Sequence, residues 1–313
     1  MATAPAKLIL CGEHAVVYGR PAIALPLSDL RASATVKPAL AGNGPIINAP
    51  DLGGRWRVAD RPDEPLSGLI MALIDRFGVP ANIEITIRSS IPIASGMGSG
   101  AAIATAITRE LLAYCGQSLP AATISELVYE SERGYHGTPS GIDNTVVAFE
   151  QPIWFQRRTV PPHLIEPLPI GAPLTLVVGD TGVRSPTRLP VGAVRERWQA
   201  DPDRYEVLFD QVAELVRQAR VALAEGNALK LGPLLDANHE LLREIGVSSP
   251  ELDRLTAAAR AVGALGAKLA GAGWGGVMLA LTVPEQAESV AAALRAAGAV
   301  NAFITTIAAV AFP

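Results

Sequence analysis

Cysteine is scarce in this chain: Cys11 and Cys115 are the only two in 313 residues. A disulfide framework is therefore excluded, and both sit among apolar neighbours, where a small buried side chain is the ordinary reading. Long apolar runs are missing too. None approaches the roughly 18 to 20 residues that a membrane span needs, and the N-terminus has no basic segment leading into a long apolar one. The expectation is a cytoplasmic protein with no membrane partner. Nor is there a basic excess, since 26 Lys and Arg stand against 30 Asp and Glu for a formal charge of -4. A nucleic-acid partner is not supported by such a balance. With that net charge any positive potential must be local; four of the 26 basic residues are lysines, at positions 7, 37, 230 and 268. No internal repeat and no low-complexity segment is visible.

What is present suffices for a large core. With 49% hydrophobic and 18% charged residues, the length predicts two domains. Residues 151 to 172 hold five prolines and the pair Arg157 and Arg158, which puts a crossing near 170 and the domains at 1–170 and 171–313. In the first, Val36, the 45 to 60 segment and "NIEITIRSSIPI" read as strands, the last with Ile83, Ile85 and Ile87 alternating against Glu84, Thr86 and Arg88. Helical spacing marks 66 to 77, 100 to 115 and 121 to 135, and the Gly, Pro and Asn content of "YHGTPSGIDNTVVAFE" predicts a loop. In the second, "LTLVVGDTG" reads as a strand. Helical patterns cover 190 to 224, 227 to 245, 249 to 263 and 284 to 297, with strands at 276 to 283 and 302 to 311. Intermixed strands and helices predict an α+β fold in both halves.

The stretch "IPIASGMGSGAAIATAITREL" asks for an explanation. Gly96, Gly98 and Gly100 stand directly before a good helix former. A helix N-terminus offers unpaired N–H groups and partial positive charge, and glycines let a phosphate approach it closely. Small residues also permit tight helix packing, so the stretch alone leaves both readings open. It fits neither the P-loop, which needs a Gly-Lys-Ser/Thr ending, nor the dinucleotide fingerprint. A second glycine-rich segment, "KLAGAGWGGVMLAL", precedes a strand and is compatible with a tight turn.

Polar residues in odd places narrow the chemistry. Lys7 lies in the strand-like "APAKLIL", out of place unless it meets an anion or reaches water. Glu13 and His14 fall between two apolar runs, Glu132 near the end of a helix, and Asp143 in a Gly-flanked loop. Taken singly, each is compatible with a solvated side chain. Together, the carboxylates of Glu132 and Asp143, a lysine and two glycine-rich loops are the parts needed to transfer a phosphoryl group to an alcohol.

Three segments, "APAKLILCGEHAVVYGRPAIALPL", "IPIASGMGSGAAIATAI" and "KLAGAGWGGVMLAL", resemble in order and spacing the motifs of the GHMP kinases, and the resemblance spans essentially the whole chain. "GEHAVVYG", "HGTPSGIDN", "DTGVRSPT" and "NHELLREIGVSSPELD" are most similar to the mevalonate-kinase branch. The resemblance implies an N-terminal α/β nucleotide-binding domain, a ferredoxin-like α+β C-terminal domain, and ATP-dependent, Mg²⁺-assisted phosphorylation of the 5-hydroxyl of mevalonate. By the same resemblance, Asp143 would take or orient the hydroxyl proton and Lys7 would stabilise the developing charge. Glu132 and Ser99 would bind Mg²⁺. The backbone of Ile93, Ala94, Ser95, Gly96, Met97, Gly98, Ser99, Gly100 and Ala101 would cradle the phosphates of ATP, while Glu13, His14, Thr187, Gly271 and Ala272 would face mevalonate. Arg184 and Arg188 are further cationic candidates, and a homodimer is compatible with the family. Three positions depart from its pattern: Ala6 replaces a glycine, Gly100 a second serine, and Trp274 interrupts the third glycine run. Other small-molecule kinases of the superfamily, acting on phosphomevalonate, homoserine or a sugar, and a non-catalytic binding protein are the alternatives.

Overall fold

Alternation of isoleucine with polar residues puts Ile83, Ile85 and Ile87 on one face of a strand, and all three are buried. That strand organises the first of two units into which the chain divides. The computed structural model describes residues 1–92, 95–136, 140–160 and 162–311. One unit comprises Met1–Lys7, Pro26–Ile93 and Gly98–Glu150, the other Leu8–Leu25, Ala94–Met97 and Gln151–Pro313, so the two interleave along the sequence.

The first unit holds most of strands β1 (Ala2–Cys11) and β2 (Pro21–Pro38), then β3 (Ile46–Ala49), β4 (Gly54–Arg57) and β5 (Ile83–Ser89). Here the sheet order is β4–β3–β5–β2, with β2 antiparallel to β5 and Val36 opposite Ile85. Strand β3 runs parallel to β5, placing Ile47 opposite Ile85 as well. Its helices are α1 (Pro65–Phe77), α2 (Ser99–Tyr114), α3 (Ala121–His136) and α4 (Ile142–Phe149). Helix α2 packs on α1, α3, α4 and β5. Its buried Ala101, Ala102, Ala104 and Ala106 let those neighbours come close.

The second unit contains β6 (Ile153–Gln156), β7 (Leu164–Pro167) and β8 (Leu174–Asp180), followed by α5 (Arg188–Ala200), α6 (Pro202–Ala224), α7 (Ala228–Ile245) and α8 (Pro250–Ala261). Strand β9 (Gly266–Ala270), β10 (Val277–Thr282), α9 (Ala287–Ala296) and β11 (Asn301–Ile307) complete it. The order β11–β8–β10–β9 makes an antiparallel sheet in which Val178 faces Phe303 on one side and Leu279 on the other. Every residue of β8, β9 and β10 is buried, because helices α7, α8 and α9 lie against these strands. The first residues of β2 belong here, pairing Pro21–Ala24 with Ile153–Gln156. A 3-10 turn at Ala15–Tyr18 precedes them and packs on α6, with Tyr18 stacked on Phe209 at 4.2 Å and tilted against Trp198 at 5.2 Å.

The α+β class expected from the sequence holds in both units. Several details differ. Residues 142–149, read as part of a loop, form α4, whose start is set by Gly141 in the left-handed region at φ 88°. The single pattern at 190 to 224 is two helices, because Asp201 ends one and caps the next, accepting from the Arg204 N–H ahead of Pro202 at the first helical position. Strand β9 was not foreseen at all: its lysine and flanking glycines broke the apolar run. Cys11 is buried as expected, whereas Cys115 is only half-buried. Among the described residues no helix is long and apolar enough to cross a membrane.

Candidate active site

In the first unit, β1 delivers Lys7 to an interior position where it is 3% exposed. Its ammonium lies 2.9 Å from Asp143 Oδ1, and the Asp143 side chain remains 32% exposed. Asp143 stands in the first turn of α4, not in a loop, so the positive end of the helix dipole and the lysine both adjoin its carboxylate. Its neighbours hold that turn still. Asn144 donates to the Ser125 carbonyl at 3.0 Å and to Ser125 Oγ at 2.8 Å, and the Thr145 hydroxyl donates to the Gly141 carbonyl at 2.6 Å. Sequence reasoning passed over Asn144 and Thr145, although two polar residues directly after an interesting aspartate were a signal.

Two glycines shape this cluster by the space they leave. Gly98, with φ 71°, precedes α2, and a Cβ there would stand 2.7 Å from Lys7 Cγ. At Gly100 a Cβ would stand 2.9 Å from Glu132 Oε1. Glu132, on α3, is 3% exposed. The first i→i−4 bond of α2 runs from Ala102 N to the Gly98 carbonyl at 2.9 Å, so the N–H groups of Ser99, Gly100 and Ala101 lie at the open, positive end of the helix. Ile93 and Ala94, expected in the same loop, lie outside the described residues, as do Gly137, Thr138 and Pro139.

A second cluster belongs to the second unit. Glu13 Oε1 accepts from Lys268 Nζ at 2.5 Å, with Glu13 1% and Lys268 0% exposed. Lys268 also donates to the Leu269 carbonyl at 2.6 Å. Beside Glu13, His14 Nε2 lies 2.9 Å from the Ala272 carbonyl. A carbonyl only accepts, so Nε2 carries the proton and Nδ1 is left with a lone pair. Burial pushes the His14 imidazole down to about 4, against the smaller opposing effect of the Ala272 carbonyl. Burial likewise raises the Cys11 thiol to about 12, so it is inert as a thiolate. The turn bearing Glu13 and His14 requires glycine at 12: φ is 101°, and a Cβ would meet Ala22 at 2.6 Å. Arg20, paired with Glu206 at 2.5 Å and Asp210 at 2.9 Å, ties the same segment to α6.

Ser95 and Gly96 run against the third glycine-rich segment. A Cβ on Gly276 would lie 3.1 Å from the Ser95 carbonyl, and one on Gly271 would lie 3.6 Å from Gly96 Cα. Trp274 adopts φ 55°, unusual for so large a side chain. Its backbone N–H donates to the Val247 carbonyl at 2.9 Å and its indole to the Gly246 carbonyl at 3.0 Å. These bonds tie it to the turn after α7. Thr187 is exposed at the start of α5, and among the described residues no hydrogen bond joins it to Glu13 or His14. Arg184 grips buried Asp180 through both guanidinium nitrogens, at 2.7 and 2.8 Å, while Arg188 is exposed. Lys268 is the charged residue that sequence reasoning missed. The argument used for Lys7, a lysine inside an apolar run, would have found it.

Family models place the chain among known proteins. The GHMP kinase N-terminal domain matches residues 66–151 and the GHMP kinase C-terminal domain residues 219–300. A mevalonate kinase of Pyrococcus horikoshii is 35% identical over 322 residues, covering 96% of this chain and 93% of the relative. The chain belongs to the mevalonate kinase family. A mevalonate kinase of Thermococcus sibiricus is 36% identical, covering 95% of this chain and 93% of that relative. The crystal structure of L. major mevalonate kinase in complex with R-mevalonate is similar with a TM-score of 0.87 and 30% identity, covering 99% of this chain and 96% of that one.

Two outcomes follow from this geometry. Gly98→Ala should destabilise the protein by at least about 1 kcal/mol more than Gly42→Ala. Both have positive φ, which costs a non-glycine residue about 1 to 2 kcal/mol, but a Cβ at 42 meets nothing within 4 Å. Equal losses in urea titrations would mean that the Lys7 stem yields freely. The second outcome concerns acid. His14 and His239 are both pushed down to about 4 by burial, with Arg260 adding to the effect at His239. The unfolded chain therefore binds more protons than the folded one between about 6.5 and 4, and stability falls as pH drops through that window. Urea midpoints should be flat from pH 8 to 7 and lower at pH 5, and His239→Gln should weaken that decline. Identical midpoints at pH 8 and 5 would refute neutral burial of the two rings.

Proposed function

We propose that this protein transfers the γ-phosphoryl group of ATP to the 5-hydroxyl of mevalonate. The observation that carries the chemistry is the buried Lys7 ammonium 2.9 Å from a carboxylate that itself remains accessible. The substrate assignment rests on the family, whose relatives carry the name mevalonate kinase. Asp143 accepts the hydroxyl proton as the oxygen bonds to the γ-phosphorus and the bond to the departing ADP oxygen breaks. Lys7 keeps that carboxylate in place and offsets the negative charge gathering on the attacking oxygen. The N–H groups of Ser99, Gly100 and Ala101 hold phosphate oxygens at the positive end of α2. Glu13 and His14 bind the polar groups of mevalonate.

No cluster of three or more His, Cys, Asp or Glu side chains suited to a metal occurs among the described residues. Mg²⁺ needs no such cluster, since it keeps several waters and takes one or two protein carboxylates together with substrate phosphates. Buried Glu132 beside the gap at Gly100 fits that demand, and we assign Glu132 and Ser99 to hold the ion. When bound, it would neutralise charge on the phosphates. Gly100 thus has a reason to replace serine here: a side chain at that position would crowd the Glu132 carboxylate.

A coupled assay for ADP tests the reading, with mevalonate, phosphomevalonate, homoserine and galactose as acceptors. Mevalonate should be preferred by orders of magnitude, because a site that pairs polar substrate groups rejects analogues that leave them unpaired. Asp143→Asn should lower turnover about a hundredfold or more while KM for mevalonate moves by no more than about threefold. Near-normal turnover in that variant would remove Asp143 from the mechanism, and a better rate with another acceptor would overturn the substrate. Titrating Mg²⁺ against rate examines the metal assignment. Glu132→Gln should raise the concentration for half-maximal rate strongly, and Gly100→Ser should shift it in the same direction by less. Unchanged curves would dismiss Glu132 as a ligand.

A further inference from the structure

Lys268 is 0% exposed in the middle of β9, and its ammonium is committed to Glu13 Oε1 and the Leu269 carbonyl. The other carboxylate oxygen, Glu13 Oε2, is buried and has no hydrogen-bond partner among the described residues. A buried polar atom left without a partner is costly, and a charged one more so. Two neighbouring features make the vacancy directional. His14 gives its Nε2 proton to Ala272, which leaves its remaining nitrogen an acceptor, and the left-handed backbone at Gly12 and His14 fixes the turn carrying both residues. Glu13 Oε2 and His14 Nδ1 are both acceptors, so the pair is suited to hydroxyl hydrogens and not to a carboxylate.

We propose that Lys268 is a positioning residue for substrate recognition: it occupies one oxygen of Glu13 and fixes the carboxylate, so that the other oxygen stays free to accept a hydroxyl of mevalonate. This rests on the mevalonate reading above. Cys11, His14 and His239 are the other titratable groups that sense this ammonium, and none of them supplies a replacement positive charge. Without Lys268, Glu13 Oε1 loses its ammonium partner, and the carboxylate is no longer held in the orientation that leaves Oε2 to a substrate hydroxyl.

The test compares wild type with Lys268→Met and with the double variant Glu13→Gln/Lys268→Met, using full-length protein, mevalonate and ATP. Wild-type turnover of mevalonate is the control that separates the two ideas, since its absence sinks the substrate reading before Lys268 is judged. Given that turnover, Lys268→Met should raise KM for mevalonate at least tenfold and leave KM for ATP within twofold. A merely structural lysine would lower the melting temperature and leave the ratio of the two KM values unchanged, which would overturn the proposal. Should Lys268→Met fail to fold, the double variant removes both buried charges. Calorimetric binding of mevalonate by that protein at least tenfold weaker than wild type supports the proposal, and wild-type affinity refutes it.

Discussion

An ammonium group cannot be taken out of water unless an anion meets it, and this chain buries two. Lys7 meets Asp143 and Lys268 meets Glu13, each pairing spanning a long separation in sequence. Desolvating two charges is expensive enough that such pairs rarely improve stability over apolar residues of the same size. In the first pair the aspartate keeps partial access to solvent. In the second the glutamate is buried, with one oxygen held by the lysine and the other without a hydrogen-bond partner among the described residues.

Much of the surrounding structure serves to keep these carboxylates where they are. Asn144 and Thr145 anchor the turn that carries Asp143. Tyr18 on Phe209 and Arg20 on Glu206 and Asp210 anchor the segment that carries Glu13. Glycine supplies the complementary device, which is empty space. Gly98 gives room to the Lys7 stem and Gly100 to the Glu132 carboxylate, so two glycines that look interchangeable in the sequence answer to different neighbours.

The third glycine-rich segment is interrupted by a bulky residue. Trp274 stands where the run would continue with glycine, and it adopts the backbone angle a glycine would have supplied. Its indole and backbone bonds to Gly246 and Val247 offset that strain. Arg197 donates to the same Gly246 carbonyl, at 3.1 Å, so the end of α7 is capped twice.

Local pattern was enough to determine the α+β class, most helices and the family, because periodicity, glycine spacing and three ordered motifs are properties of short segments. It also singled out Lys7, since one residue in a strand-like run already shows that something must compensate its charge. Other matters were decided only by packing. Gly and Pro ahead of residues 142–149, with Asn144 inside them, hid a helix, because eight residues draw their stability from tertiary contacts more than from propensity. A lysine and its glycines hid β9, which forms because β10 offers it a hydrogen-bonding edge. Lys268 and Glu13 lie 255 positions apart, and no window of sequence contains both. Which carboxylate each ammonium meets, and which oxygen it leaves free, depends on distances between distant segments that exist only once the chain has folded.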